Sequence, residues 1–288
     1  MNNVIPFKRE KYFHFLPPDI IAPDRPITTL LIGAGGTGSA LISGLARINY
    51  SLCSLGHAGL MLHVFDGDVV SEANIGRQLF ALSDLGLNKA VVQVTRVNNF
   101  FGFNWKSYPV MFTKSSLDKV EERIPLVITA VDDAEGRILI GNIIRDKATY
   151  WIDTGNTSDT GQVVYGTLSP VEQPKKKKLN TVEMLPTVVD LYPELKEESH
   201  RRYQGPSCSV HEALMRQDLF INQQIATSAL KLLWKAFRKG KLTISGYIIN
   251  FEGAASERAL PIDPAIWKSM GWEYRRPEKR TKTAKSAA

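Results

Sequence analysis

Gly33-Ala34-Gly35-Gly36-Thr37-Gly38 follows an apolar, β-branched run at 27–32 and precedes a segment with helical apolar spacing at Leu41, Leu45 and Ile48. Glycines at 33, 35 and 38 allow a tight turn, close approach of backbone to a phosphate, and close packing of a helix on a sheet. The helix amino terminus then faces the phosphates. The turn is a nucleotide site or simply a glycine-rich connection, and alone it does not separate ATP from NAD or FAD. Asp66 closes a second apolar run at 60–65, where a carboxylate can accept hydrogen bonds from ribose hydroxyls. The loops that follow are unlike a dehydrogenase: Asn74-Ile75-Gly76-Arg77-Gln78 brings a guanidinium and Gly86-Leu87-Asn88-Lys89 an ammonium. NAD needs few cations, whereas a triphosphate carries about four charges whose repulsion must be offset. Arg77 and Lys89 are therefore read as triphosphate ligands, the alternative being two solvated charges among 36 Lys and Arg.

Asp132 ends a third apolar run at 126–131 and can hold Mg²⁺, because a hard dication takes carboxylate together with phosphate oxygens. Alternatively, Asp132 or Asp133 caps the helix that follows. Cys208 stands just before a helix start marked by Ser209 and Glu212, with His211 three residues on. There the backbone N–H groups and the helix dipole favour a thiolate that can accept an acyl group; packing is the alternative. Cys53 reads as structural. His14, His57, His63 and His200 have no partners at metal-ligand spacing.

Positioning these residues requires strands that alternate with helices, each strand ending in a charged or glycine cluster. That pattern indicates an α/β fold with a doubly wound, mainly parallel, Rossmann-like sheet and its site at the carboxyl edge. Residues 1–26, with five prolines and little periodicity, read as an extended arm. Residues 27–168 form the nucleotide-binding half, and 169–206, rich in proline and carrying four consecutive lysines, a long crossover loop over the surface. Residues 207–272 return to order within the same domain. One long helix, capped near Ser209 and with apolar residues from Leu214 to Phe237, stops at Gly240, and a strand follows at 242–251. Residues 273–288 form a basic, disordered tail.

The 288 residues, 43% apolar and 23% charged, suit a soluble globular chain and exclude a collagen, a coiled coil or a wholly disordered protein. The tail and the lysine run at 175–178 carry more than the whole net charge of +7, leaving the rest of the chain slightly acidic with no basic folded groove, so no nucleic-acid partner is expected. Two cysteines are too few for a disulfide framework or a four-cysteine zinc site. No run of eighteen apolar residues and no signal-type stretch occurs, so no membrane association is expected and a cytoplasmic location is.

The glycine turn, Asp66-Gly67-Asp68, Asn74-Ile75-Gly76-Arg77-Gln78, Gly86-Leu87-Asn88-Lys89 and Asp132-Asp133-Ala134-Glu135-Gly136-Arg137 together resemble the ThiF/MoeB/HesA family, bacterial relatives of ubiquitin-activating enzymes. The likeness covers 27–168, and Asp-x-Asp with Asn-x-x-Arg-Gln is its most specific part. Ser207-Cys208-Ser209 and Arg216-Gln217-Asp218-Leu219-Phe220-Ile221-Asn222 look more like the ThiF-type protein of plasmid-borne PRTRC cassettes. The resemblance implies MgATP-dependent adenylation of the C-terminal carboxylate of a small ubiquitin-like, β-grasp partner, releasing pyrophosphate, with thiol or sulfur transfer as a later step. It also implies a homodimer. Carried onto matching positions, Gly33, Gly35, Gly36, Gly38, Asp66, Asp68, Asn74 and Gln78 bind the nucleotide, with Asp66 on the ribose and Asn74 shaping the phosphate loop. Arg77 and Lys89 take the phosphates, and Asp132 the magnesium.

The family's usual second asparagine is Gly76 here, and its two Cys-x-x-Cys pairs are absent, so no structural zinc is expected. An N-terminal Arg-x-x-Arg-Gln, which relatives often offer across a dimer, is missing too, with Arg9 and Arg25 the candidates in its place. Two other readings stay open at this level. An NAD-dependent oxidoreductase would leave Arg77, Lys89 and Asp132 without roles, and a catalytically inactive nucleotide-binding scaffold would suit the altered Gly76.

Overall fold

Apolar runs without polar alternation, such as 27–32, make strands only where both faces are covered. The computed structural model describes residues 12–120, 123–157, 159–175, 179–195, 218–252 and 256–275. In chain order these contain β1 (Tyr12–Phe15), α1 (Pro18–Ile21), β2 (Ile27–Ile32), α2 (Gly36–Ser54), β3 (Leu60–Phe65), α3 (Lys89–Phe101), β4 (Lys106–Tyr108), α4 (Lys114–Leu117), β5 (Ile124–Thr129) and α5 (Ala134–Ile144). There follow β6 (Ala148–Asn156), β7 (Thr160–Thr167), β8 (Asn180–Thr181), α6 (Val188–Leu191), α7 (Ile221–Lys239), β9 (Lys241–Leu242), β10 (Ile244–Asn250), β11 (Ser256–Pro261) and α8 (Pro264–Ser269). Every residue of β2 and β5 is buried.

The central sheet has eight strands in the order β11-β10-β7-β6-β5-β2-β3-β4. From β6 to β4 all pairs are parallel, and from β6 outward to β11 they are antiparallel. The expected α/β, Rossmann-like architecture is present, with an antiparallel extension. Strand order reverses between β2 and β5, and ligands in such sheets bind where the loops from two such strands diverge. The glycine turn leaves β2 and the Asp132 loop leaves β5. Helix α2 packs on α3 and, most extensively, on α7, which also covers β6 and β7.

Four departures from the sequence reading have physical causes. The proline-rich arm contains β1 and α1, and it buries His14, Leu16 and Ile20. β1 pairs parallel with β8 and antiparallel with β9, so a small second sheet ties the arm to the segment after β7 and to the end of α7. That segment does not simply cross the surface: Val171, Val182, Leu185, Val188 and Leu191 are buried. Irregular backbone can enter a core when its polar groups are paired. Here Val171 N–H donates to Glu183 O, Val182 N–H to Phe13 O and Thr167 N–H to Leu185 O.

The start read for the long helix, 207–217, lies outside the described residues, and the described part does not continue it as a helix. Leu219 and Phe220 form an exposed turn in which Asp218 Oδ1 accepts the Phe220 N–H at 2.8 Å, and α7 begins at Ile221. Its end is as read, with Gly240 at φ 60°. The strand read at 242–251 is two strands, β9 on the small sheet and β10 on the large one.

Candidate functional site

At the end of β2, Gly33 adopts φ 95°, and a Cβ there would stand 2.5 Å from Ala130 O. A Cβ on Gly38 would lie 2.0 Å from Gly33 O, so no side chain fits where α2 turns back on the strand end. Gly33 N–H donates to Phe65 O and Ala130 N–H to Ile32 O, holding the turn against the loops from β3 and β5. A Cβ on Gly35 would meet nothing within 4 Å, and α2 begins there without a side-chain cap. The first N–H groups of a helix lack intrahelical partners, so this open side is suited to an anion. A Cβ on Gly36 would instead meet the amide of Asn222, whose Oδ1 accepts the Thr37 hydroxyl at 2.9 Å.

Asp66, half-buried at the end of β3, accepts the Ala34 N–H at 2.6 Å on Oδ2 and the Asp68 N–H at 2.8 Å on Oδ1. Burial pushes its carboxyl up, while those two N–H groups and the Lys89 charge pull it back. Lys89, the first residue of α3, is buried and meets Asp68 Oδ2 at 2.9 Å. Asn88 caps α3 by accepting the Val91 N–H, and its amide donates to Asp66 O at 2.8 Å and Asp68 O at 2.9 Å. This stitch was missed in the sequence, although an Asn before a helical run is itself a signal.

Asn74 is buried at the end of a single 3₁₀ turn, Glu72–Asn74, where its Oδ1 accepts the Ser71 N–H at 2.9 Å and the Ser71 hydroxyl at 3.2 Å. It shapes the loop in which Arg77 Nε donates to Ala73 O at 2.9 Å. Burial lowers the Arg77 pKa, and the Asp132 charge acts in the opposite direction. Gln78 Oε1 is buried without a hydrogen-bond partner among the described residues. The question of cap or metal ligand divides between neighbours: Asp133 caps α5 by accepting the Gly136 N–H, while Asp132 is exposed and makes no hydrogen bond among the described residues.

Val131, read as strand, lies in the loop after β5, where its carbonyl is taken by Arg137. Arg137 and Asp153 form a buried pair that the sequence reading did not connect. Cys208, with His211 and the capping pair Ser209 and Glu212, lies outside the described residues. Cys53, read as structural, is exposed on α2. Among the described residues no three His, Cys, Asp or Glu side chains form a metal-holding group, and no helix is long and apolar enough to cross a membrane.

Comparison with known proteins bears on this arrangement. Ubiquitin-like modifier-activating enzyme 5 of Aedes aegypti is 30% identical over 146 residues, which is 46% of this chain and 34% of that one. Its counterpart in Branchiostoma floridae is 26% identical over 144 residues, 46% of this chain and 33% of that one. The chain thus spans about a third of the length of the curated relatives it matches. Among solved structures, E. coli MccB with ATP superposes with a TM-score of 0.53 at 15% identity, covering 85% of this chain and 65% of MccB. PaaA gives 0.54 at 16%, covering 82% of this chain and 64% of PaaA, a likeness of fold. The model of the ThiF family matches residues 25–264, from just before β2 into α8, so the glycine turn and the loops around it lie inside the match and the chain belongs to the ThiF family.

Proposed function

We propose that the crevice binds ATP and that the chain uses it to adenylate the C-terminal carboxylate of a small ubiquitin-like, β-grasp protein. One observation carries the reading, a continuous chain of contacts around the crevice. Lys89 meets Asp68, the backbone of Asp68 meets Asp66, Asp66 holds the glycine turn at Ala34, and the turn abuts Ala130 in the loop that carries Asp132. The names of the modifier-activating relatives support the choice of target. The segment at 207–222 supports a PRTRC-type member.

The substrate carboxylate is ionised at neutral pH and needs no general base. Its oxygen attacks the α-phosphorus in line. The acyl–phosphate bond forms as the bond to the α,β-bridging oxygen breaks, and pyrophosphate leaves with that electron pair. Catalysis is then positioning plus neutralisation of charge. The uncapped start of α2, beside Gly35, holds the phosphates, and Arg77 and Lys89 face the charge of the leaving pyrophosphate. Asp66 accepts from ribose hydroxyls with the lone pairs that Ala34 and Asp68 leave unused, and Asn74 and Gln78 shape the phosphate loop.

Asp132 fits Mg²⁺, being an exposed carboxylate with no hydrogen bond among the described residues, and Mg²⁺ is ordinarily held by one or two carboxylates plus substrate phosphates. The ion supplies charge neutralisation on the phosphate oxygens. In a later step the Cys208 thiolate attacks the acyl carbon of the adenylate, forming a thioester as AMP leaves. We further read the protein as a homodimer, with Arg9 or Arg25 of the arm offered to the second site.

ATP–pyrophosphate exchange with candidate β-grasp proteins tests this. Exchange should require the partner and vanish in Arg77→Ala, while Cys208→Ala retains it. Binding of ATP with no exchange for any such partner would favour the scaffold reading, and binding of a nicotinamide cofactor in its place would favour an oxidoreductase.

A further inference from the structure

Asp132 sits between two carbonyls that a single side chain holds. Arg137 Nη2 donates to Val131 O at 2.6 Å and Nη1 to Asp133 O at 3.5 Å, while Nε stands 3.3 Å from Asp153 Oδ2. The side chains of Arg137 and Asp153 are 7% and 1% exposed, and neither Nε nor Oδ2 has a hydrogen-bond partner among the described residues, so those two atoms face each other only as an ion pair. Asp153 is itself fixed from the sheet. Thr129 Oγ1 donates to its Oδ1 at 2.6 Å and accepts Trp151 Nε1–H at 2.8 Å. The guanidinium fills the space beside Gly155, where a Cβ would come within 2.8 Å of Nη2.

A buried ion pair loses hydration on both partners, and apolar residues of similar size commonly give a fold at least as stable. Stability is therefore a poor reason for this pair. What apolar residues cannot supply is a planar fork that takes a carboxylate on one side and two loop carbonyls on the other. The loop from Ala130 to Asp133 has no regular structure of its own, so the direction of the Asp132 carboxylate depends on what grips its flanks.

We propose that Arg137, anchored by Asp153, is a positioning residue that sets the loop so that Asp132 can hold a divalent ion beside the triphosphate. The proposal rests on the assignment of Asp132 to Mg²⁺ made above. Partners behind a metal ligand typically change metal affinity by about 10- to 100-fold when removed.

The test is Mn²⁺ binding, read by electron paramagnetic resonance on the full chain with α,β-methylene ATP, in Arg137→Lys, in the double variant Arg137→Met/Asp153→Leu and in Asp132→Ala. The first two should bind Mn²⁺ about 10- to 100-fold more weakly, with nucleotide affinity in EDTA unchanged. The double variant should melt no lower than the parent by circular dichroism. Parent-like Mn²⁺ affinity in either folded variant, alongside loss in Asp132→Ala, overturns the positioning role and leaves Asp132 in place. Parent-like affinity in Asp132→Ala removes the assignment of Asp132 itself and the proposal with it. Failure of the double variant to fold makes the pair a requirement of the fold and also overturns the proposal.

Discussion

The Thr37 hydroxyl donates to Asn222 Oδ1 at 2.9 Å, joining the first turn of α2 to the first turn of α7 across 185 residues of sequence. Both side chains are buried, and Gly36 leaves the room that the Asn222 amide occupies. The start of α2 is the element proposed to hold the phosphates, and this contact ties its placement to α7. Asn222→Ala should cost about 1 kcal/mol of stability from the lost hydrogen bond and raise the KM for ATP more than it lowers kcat. Urea unfolding together with exchange kinetics checks this, and an unchanged KM would show that α2 holds its place alone.

The glycines of the turn separate fold from binding. Gly38→Ala drives a Cβ onto a backbone carbonyl and should destabilise by about 1–3 kcal/mol. Gly35→Ala meets open space, so its melting temperature should stay near the parent's while ATP affinity falls at least tenfold. Calorimetric titration of both variants distinguishes the two effects. Equal ATP affinity in Gly35→Ala and the parent would mean that the phosphates lie elsewhere.

Much of this crevice was legible in the sequence because its parts are local. The runs at 27–32 and 60–65 lack polar alternation, as strands buried in a parallel sheet must, and they end on Gly33 and Asp66 where the strands end. What escaped is non-local. Asn222 meets Thr37 only through the packing of two helices distant in sequence, and the partner of Lys89 proved to be Asp68. Val131 is apolar and extends an apolar run, yet it lies past the strand end and its carbonyl accepts from Arg137. The prolines of the arm hid β1, whose partners come from segments more than 150 residues away, as the contact of Phe15 with Gln173 illustrates. The uninterrupted helix failed because apolar spacing continues through Leu219 and Phe220, while the Asp218 side chain turns the backbone there.

Asp133, which caps α5, and Asp132, proposed to hold the metal, give a second separation. Asp133 caps α5, so Asp133→Ala should lower stability by about 1 kcal/mol and reduce exchange only modestly. Asp132→Ala removes an exposed carboxylate and should leave the melting temperature unchanged while adenylate formation falls by at least about 100-fold, the scale of losing one transition-state contact. Thermal melts paired with exchange assays measure both. Full exchange by Asp132→Ala would sink the metal assignment.

Histidine 14 offers a test of the fold by pH. His14 is fully buried, with Nδ1 2.9 Å from Val182 O and Nε2 2.8 Å from the Tyr150 hydroxyl. A carbonyl only accepts, so Nδ1 carries the proton and the neutral ring accepts from Tyr150 through Nε2. Burial lowers its pKa to about 4, against the smaller opposing effects of the Val182 carbonyl and the Glu183 charge. The unfolded chain therefore binds this proton first as pH falls, and the fold loses stability between about pH 6.5 and 4, then no further from this group. The loss is on the order of 3 kcal/mol. Denaturant unfolding of the parent and of His14→Phe should differ by a constant amount above pH 7.5. On descending to pH 4 the parent's stability relative to the variant should fall by about 3 kcal/mol, because only the parent carries the titrating ring. Parallel pH profiles for the two proteins would show that His14 is protonated as easily in the fold as outside it, and that the small sheet opens to water.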